Sequence, residues 1–225
     1  NEAAARAAAL SRGLRELGVG DGDRVMLVSE NRPEWAIADI AIMAAGAVSV
    51  PAYVTNQIED HLHVASNSGA KAAIVSTVQL AERFLPAAEQ SLDMKVVIAI
   101  EEPKIGPDQS LAIHLWDDVL ERHAGAPNDV AERACGIERT DTSCLIYTSG
   151  TGGVPRGVML SHGAIIANCK GAHQLLDELG LGDEVFLSFL PLSHSYEHTA
   201  GLMFPISIAA QIYYAEGVDR LAGNM

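Results

Sequence analysis

Between Ile146 and Gly157 the chain reads Ile-Tyr-Thr-Ser-Gly-Thr-Gly-Gly-Val-Pro-Arg-Gly, and no other stretch gathers so many groups able to hold an anion. Thr148, Ser149 and Thr151 offer hydroxyl donors, and Arg156 supplies a positive charge. Gly150, Gly152, Gly153 and Gly157 let successive backbone N–H groups turn toward one centre, which together makes a nest for a polyphosphate. A flexible surface loop has the same composition. The position just after an apolar strand pattern, Ser143 to Thr148, favours the phosphate reading. Three better-known motifs are excluded. A Walker loop fails because Val158 and Met159 follow Gly157 in place of Lys and Ser or Thr. A dinucleotide G-x-G-x-x-G starting at Gly150 meets Pro155 where its last glycine belongs, and a G-x-S-x-G elbow meets Tyr147 in place of its first.

A second candidate is His194-Ser-Tyr-Glu197-His198, which matches the H-x-x-E-H pattern of one zinc peptidase class. That pattern needs both histidines and the general-base Glu on one helix face. Pro191 instead puts His194 at a strand-to-helix turn, and only Glu216 or Asp219 offers itself as a third ligand. His61, His63, His114, His123 and His173 show no ligand spacing, and Lys170 reads as a solvated helix residue.

The loop from Tyr147 to Gly157 resembles the signature Y-T-S-G-T-T-G-x-P-K-G of the adenylate-forming (AMP-binding) enzymes, which include acyl-CoA synthetases, luciferases and peptide-synthetase adenylation domains. The resemblance covers nearly the whole chain. Gly18-Val-Gly-Asp-Gly-Asp-Arg-Val25, Asn31-Arg-Pro-Glu-Trp35 and Gly46-Ala-Val-Ser-Val-Pro51 are similar to the family's amino-terminal landmarks. Leu187-Ser-Phe-Leu-Pro-Leu-Ser-His-Ser-Tyr-Glu197 resembles the L-P-L-x-H-x-x-E stretch of the long-chain fatty acyl-CoA synthetase branch. Two positions depart from the pattern: Gly152 stands for the family's second Thr and Arg156 for its Lys. Arg keeps the charge, and its planar fork can grip two phosphate oxygens.

The resemblance implies activation of a carboxylic acid, a long-chain fatty acid by the L-P-L-x-H stretch, to acyl-adenylate and then acyl-CoA. ATP, Mg²⁺ and coenzyme A are the implied cofactor and co-substrates. Thr148 and Arg156 would act in catalysis, and Thr148, Ser149, Gly150, Thr151, Gly152, Gly153 and Arg156 would bind the phosphates, with Thr148 nearest the metal. His194 and Glu197 would border the acyl pocket. His194 reads equally as a helix-capping residue, and Leu202 to Ile208 reads as acyl channel or as plain core. The family's adenine-binding segment, Mg²⁺-ligating Glu, ribose-binding Asp and mobile carboxy-terminal domain with its Lys would lie beyond Met225, leaving residues 1–225 inactive alone. A nucleotide-binding module without turnover is the other reading.

Composition agrees with such a role and excludes others. A formal charge of -14 argues against non-specific binding to nucleic acid or anionic lipid. It also makes Arg156 and Lys170, both near the glycine-rich stretch, notable local cations. Cys135, Cys144 and Cys169 form no C-x-x-C pair, as befits a reducing cytoplasm. The longest apolar run, Ala36 to Val54, contains Asp39, Gly46 and Pro51, so it reads as a buried helix and strand rather than a membrane span; peripheral membrane contact stays open.

Those groups need a scaffold. Leu10, Leu14 and Leu17 recur at helical spacing up to Gly18 and Gly20, and Pro33 suits the first turn of a helix carrying Trp35, Ile37, Ile40 and Met43. Short apolar strands at Arg24 to Ser29, Val48 to Pro51, Ala72 to Val75 and Val96 to Ile100 alternate with helices at Glu59 to Ser66 and Val78 to Gln90. This alternation predicts an α/β fold of mostly parallel sheets flanked by helices, part of a large amino-terminal domain by the resemblance. A loop-rich stretch with one helix, Trp116 to His123, separates a first subdomain, 1–130, from a second unit, 131–225, incomplete at its carboxy-terminal end. The second unit is expected to run strand, glycine loop, helix from His162 to Leu179, strand Val185 to Phe189, helix, and strand Gln211 to Ala215.

Overall fold

The computed structural model of the chain describes residues 2–104, 106, 110–127, 129–149, 154–177, 180 and 182–215. The elements run α1 (Glu2–Glu16), β1 (Arg24–Val28), α2 (Pro33–Ala44), β2 (Val48–Ala52), α3 (Ile58–Ser68), β3 (Ala72–Val75), α4 (Val78–Gln90), β4 (Val96–Ala99), β5 (Ala112–Leu115) and α5 (Trp116–His123). They continue through α6 (Val130–Ala134), β6 (Thr142–Thr148), β7 (Arg156–Ser161), α7 (His162–Asp177), β8 (Val185–Ser188), α8 (Ser195–Glu197), a π-helical turn (His198–Met203), α9 (Phe204–Ser207) and β9 (Gln211–Tyr214).

One sheet has the order β5-β4-β3-β1-β2-β6-β7, parallel throughout except for β7, which runs antiparallel to β6. A second, two-stranded parallel sheet joins β8 to β9. Side chains alternate across a strand, so a sheet covered on both faces needs apolar residues at every position. Strand β1 shows this: Val25 and Leu27 join a core with Leu10, Leu14, Trp35, Ile42 and Trp116. Met26 and Val28 join the opposite core with Val64, Phe84 and Leu85. Each such fully buried side chain contributes about 1.5–3 kcal/mol relative to exposure.

Both ends of helix α3 are firmly set. Asp60 accepts from the Gln57 backbone N–H at 3.0 Å, closing the first turn. Gly69 ends the helix with φ 63°, a left-handed conformation that glycine adopts without strain. The Arg24 side chain donates to the carbonyls of Ser68 (2.6 Å) and Gly69 (2.8 Å), placing a cation at the negative end of the helix.

The expected parallel α/β architecture is present, with two strands that the pattern did not announce. Both β5 and β7 are sheet edges, and neither contains a buried residue. Their apolar stretches, Leu111 to Ile113 and Val158 to Leu160, are shorter than the runs Val25 to Val28, Ala72 to Val75 and Val96 to Ile100 that marked β1, β3 and β4. The glycine loop therefore joins two strands of a hairpin, not a strand to a helix. The expected boundary at 130/131 falls at the start of α6, and the seven-stranded sheet runs across it through the pairing of β2 with β6. Arg133 of α6 donates to the carbonyls of Ala44 (3.1 Å) and Ala45 (3.0 Å) at the end of α2.

Candidate functional site

The hairpin of β6 and β7 brings two of the sequence-selected residues together. Thr148, the last residue of β6, lies directly opposite Arg156, the first of β7. Residues opposed in an antiparallel pair project from the same sheet face, about 5 Å apart at Cβ. Ile146, two residues earlier on β6, packs with Ile165 and Cys169 of α7 and with Phe204, so Thr148 and Arg156 project on that side. Thr148, Ser149 and Arg156 are exposed, and their side chains bond to no other described residue. Gly150, Thr151, Gly152 and Gly153 lie outside the described residues. The hairpin starts at the carboxyl end of a parallel strand, where open α/β sheets place their ligands.

Helix α3 holds the base of this hairpin from the other sheet face. His63 Nε2–H donates to the Pro155 carbonyl at 2.9 Å. The Tyr147 hydroxyl donates to Asn67 Oδ1 at 2.7 Å, and the His63 and Tyr147 rings meet edge to face with centroids 6.1 Å apart. Burial pushes the Tyr147 phenol up from its ordinary value, which keeps it protonated as a donor. Gly157, opposite Tyr147, leaves room for that ring: a Cβ there would sit 3.1–3.3 Å from three of its atoms.

The second cluster is built around the segment after β8. Asn31, just beyond β1, donates to the Leu190 carbonyl (2.7 Å) and Ser188 Oγ (3.2 Å) and accepts from Leu192 N (3.0 Å). Glu197 is buried and accepts from Ser188 Oγ (2.7 Å) and Phe189 N (3.1 Å). A Cβ at Gly201 would run into the Glu197 carboxylate, which Ser188 and Phe189 hold in place. His198 is fully buried, 2.9 Å from Asp39 Oδ2 and edge-on to Trp35. His194 is exposed and caps α8, its Nδ1 accepting from Tyr196 N at 3.2 Å. Leu202 and Phe204 are buried core, whereas Ile206 of the same run is exposed.

This geometry corrects the zinc alternative. Helix α8 has three residues and gives way to a π-helical turn, so His194, Glu197 and His198 do not share an α-helical face. Glu197 and His198 are already engaged with Ser188, Phe189 and Asp39. Among the described residues, no group of three His, Cys, Asp or Glu side chains is placed to hold a metal. The proposed third ligands, Glu216 and Asp219, lie outside the described residues.

The family model of the AMP-binding enzymes matches residues 1–225. The chain belongs to the AMP-binding enzyme family. A long-chain-fatty-acid–CoA ligase of Mycobacterium tuberculosis is 37% identical over 196 residues, covering 86% of this chain and 31% of the ligase. Among solved structures, the A-PCP didomain of a Segniliparus rugosus carboxylic acid reductase in complex with AMP superposes with a TM-score of 0.81. Identity is 21%, covering 95% of this chain and 32% of that one. ATP-bound MatB from Rhodopseudomonas palustris superposes with a TM-score of 0.74 at 21% identity, covering 94% of this chain and 38% of that one. The chain thus spans about a third of the length of such members, and its fold is that of the amino-terminal region of this family.

Three contributors escaped the sequence reading. His63 and Asn67 act across 92 and 80 residues of chain, and no local spacing marks such contacts. Asp39 sits in an apolar helix, where an isolated carboxylate in a run such as Ala36 to Met43 is itself the signal of a buried partner.

Proposed function

We propose that the chain is the front part of an acyl-CoA synthetase that activates a long-chain fatty acid. The pairing of Thr148 with Arg156 at the mouth of β6, in a member of the AMP-binding family, carries this reading. The fatty acyl substrate rests on the Leu187–Glu197 segment and on the similarity to the mycobacterial ligase. In the first step the acid's carboxylate oxygen attacks the α-phosphorus of ATP, and the bond to the bridging oxygen of pyrophosphate breaks. The thiol sulfur of coenzyme A then attacks the acyl carbonyl, gives up its proton and displaces AMP.

The substrate carboxylate is already a nucleophile, so the protein need only position the phosphates and stabilise charge on the leaving pyrophosphate. Exposed hydroxyls at Thr148 and Ser149 and the Arg156 guanidinium form a donor set suited to phosphate oxygens. The Thr148 hydroxyl is a hard oxygen donor that fits Mg²⁺, which when bound neutralises phosphate charge. His194 and Glu197 would stand beside the acyl group, Glu197 by fixing the loop after β8.

Three free cysteines, Cys135 exposed and Cys144 and Cys169 buried, agree with a cytoplasmic setting. No helix among the described residues is long and apolar enough to cross a membrane. Acid-dependent ATP–pyrophosphate exchange by the full-length protein, run with short, long and aromatic acids, tests the proposal. Exchange strongest with long-chain acids is expected, and none from residues 1–225 alone. Nucleotide binding without exchange by the full-length protein would make it a non-catalytic binder.

A further inference from the structure

We infer that helix α3 sets the position of the phosphate hairpin, and that His63 and Asn67 are positioning residues for the adenylation step. The inference rests on the proposed function and adds to it a device on the opposite sheet face. His63 and Asn67 are four residues apart and so lie on one face of α3. Each holds a different leg of the hairpin. His63 fixes the Pro155 carbonyl, one residue before Arg156, and Asn67 fixes the Tyr147 hydroxyl, one residue before Thr148.

The chemistry of these contacts is suited to holding a backbone in place. Proline has no N–H, so its carbonyl is the only backbone polar group by which residue 155 can be anchored. Tyr147 points away from Thr148 across the sheet, so pinning its ring fixes the strand without intruding on the phosphate side. The His63 imidazole closes the arrangement by packing edge-on against that ring. Tethering both legs before ATP arrives keeps Thr148 and Arg156 in register.

The test uses the full-length enzyme and measures the two half-reactions separately. Acid-dependent pyrophosphate release reports adenylation. Thioester formation from supplied acyl-adenylate and coenzyme A reports the second step, which makes no use of the triphosphate. His63→Ala and Asn67→Ala are each expected to lower kcat/KM for ATP about 10-fold in the first assay. The second assay should stay within about twofold of wild type. His63→Gln keeps an N–H donor and should regain most of the lost rate. Asn67 is exposed, so its alanine variant leaves the core intact and keeps the test open if His63→Ala fails to fold.

Equal losses in both half-reactions, accompanied by a lower Tm, would reduce these residues to a purely structural role and overturn the inference. Unchanged adenylation in both alanine variants would overturn it too. Absence of pyrophosphate release from the wild-type enzyme is a different failure: it would overturn the function itself, and the positioning role with it.

Discussion

Arg156 is the residue on which the proposed chemistry most directly depends. It opens β7, faces Thr148 and is paired with no acidic side chain among the described residues. In a chain of formal charge -14, such a cation is placed for an incoming anion. Arg156→Ala is expected to slow adenylation on the order of 10²-fold, about 3 kcal/mol, the usual loss of one preorganised transition-state charge stabiliser. Arg156→Lys should recover part of it, because a point charge replaces a two-pronged donor. A normal rate of acid-dependent pyrophosphate release in the alanine variant would remove Arg156 from the mechanism. Thr148 and Arg156 stood out in the sequence because their types suit phosphate and they lie in one short run. His63 carried no such mark: its partner is a backbone carbonyl 92 residues away.

Helix α3 carries a second histidine with a different consequence. His61 is fully buried, packs edge-on to Phe84 of α4, and neither ring nitrogen has a partner among the described residues. Burial, helped by the nearby Arg83 charge and opposed by Asp60, lowers its pKa from 6.5 to about 4. The folded state thus resists protonating His61 while the unfolded chain accepts the proton below about pH 6.5. Its contribution is complete above that pH and is lost as pH falls toward 4, by on the order of 3 kcal/mol. Urea melts at pH 7 and pH 5 should show a smaller acid loss for His61→Leu than for wild type. Identical losses would mean that His61 charges freely in the native fold. The elements themselves were readable where an apolar pattern marks them: β3 is an unbroken apolar block, and α4 and α5 place apolar residues at helical spacing. The edges β5 and β7 were not, since their apolar stretches, Leu111 to Ile113 and Val158 to Leu160, are shorter than the runs that mark β1, β3 and β4.

At the scale of the molecule, contacts between distant segments hold the candidate site together. The 2.9 Å Asp39–His198 contact, wholly buried, links α2 to the π-helical turn across 159 residues. Removing one member of such a pair leaves a buried polar group without its partner, at a cost of about 3–5 kcal/mol. His198→Ala should therefore lower unfolding free energy by about that amount. A change below about 1 kcal/mol in a denaturant melt would show that Asp39 finds another partner or water.

Asn31 does similar work between β1 and the 188–192 segment. It lies in one of the stretches that resemble a family landmark, yet its task could not be read from the string. Local order was thus written into the chain: apolar period, helix-starting prolines, stopping glycines and the anion-binding composition of the loop. These depend on neighbours a few residues apart. Which histidine anchors the hairpin and which is buried against an aspartate depended on segments meeting across the sheet, whereas the cap that His194 forms with Tyr196 N is local. His63 and His198, identical in type, acquire different roles because packing, not spacing, chooses the atom that each ring nitrogen meets.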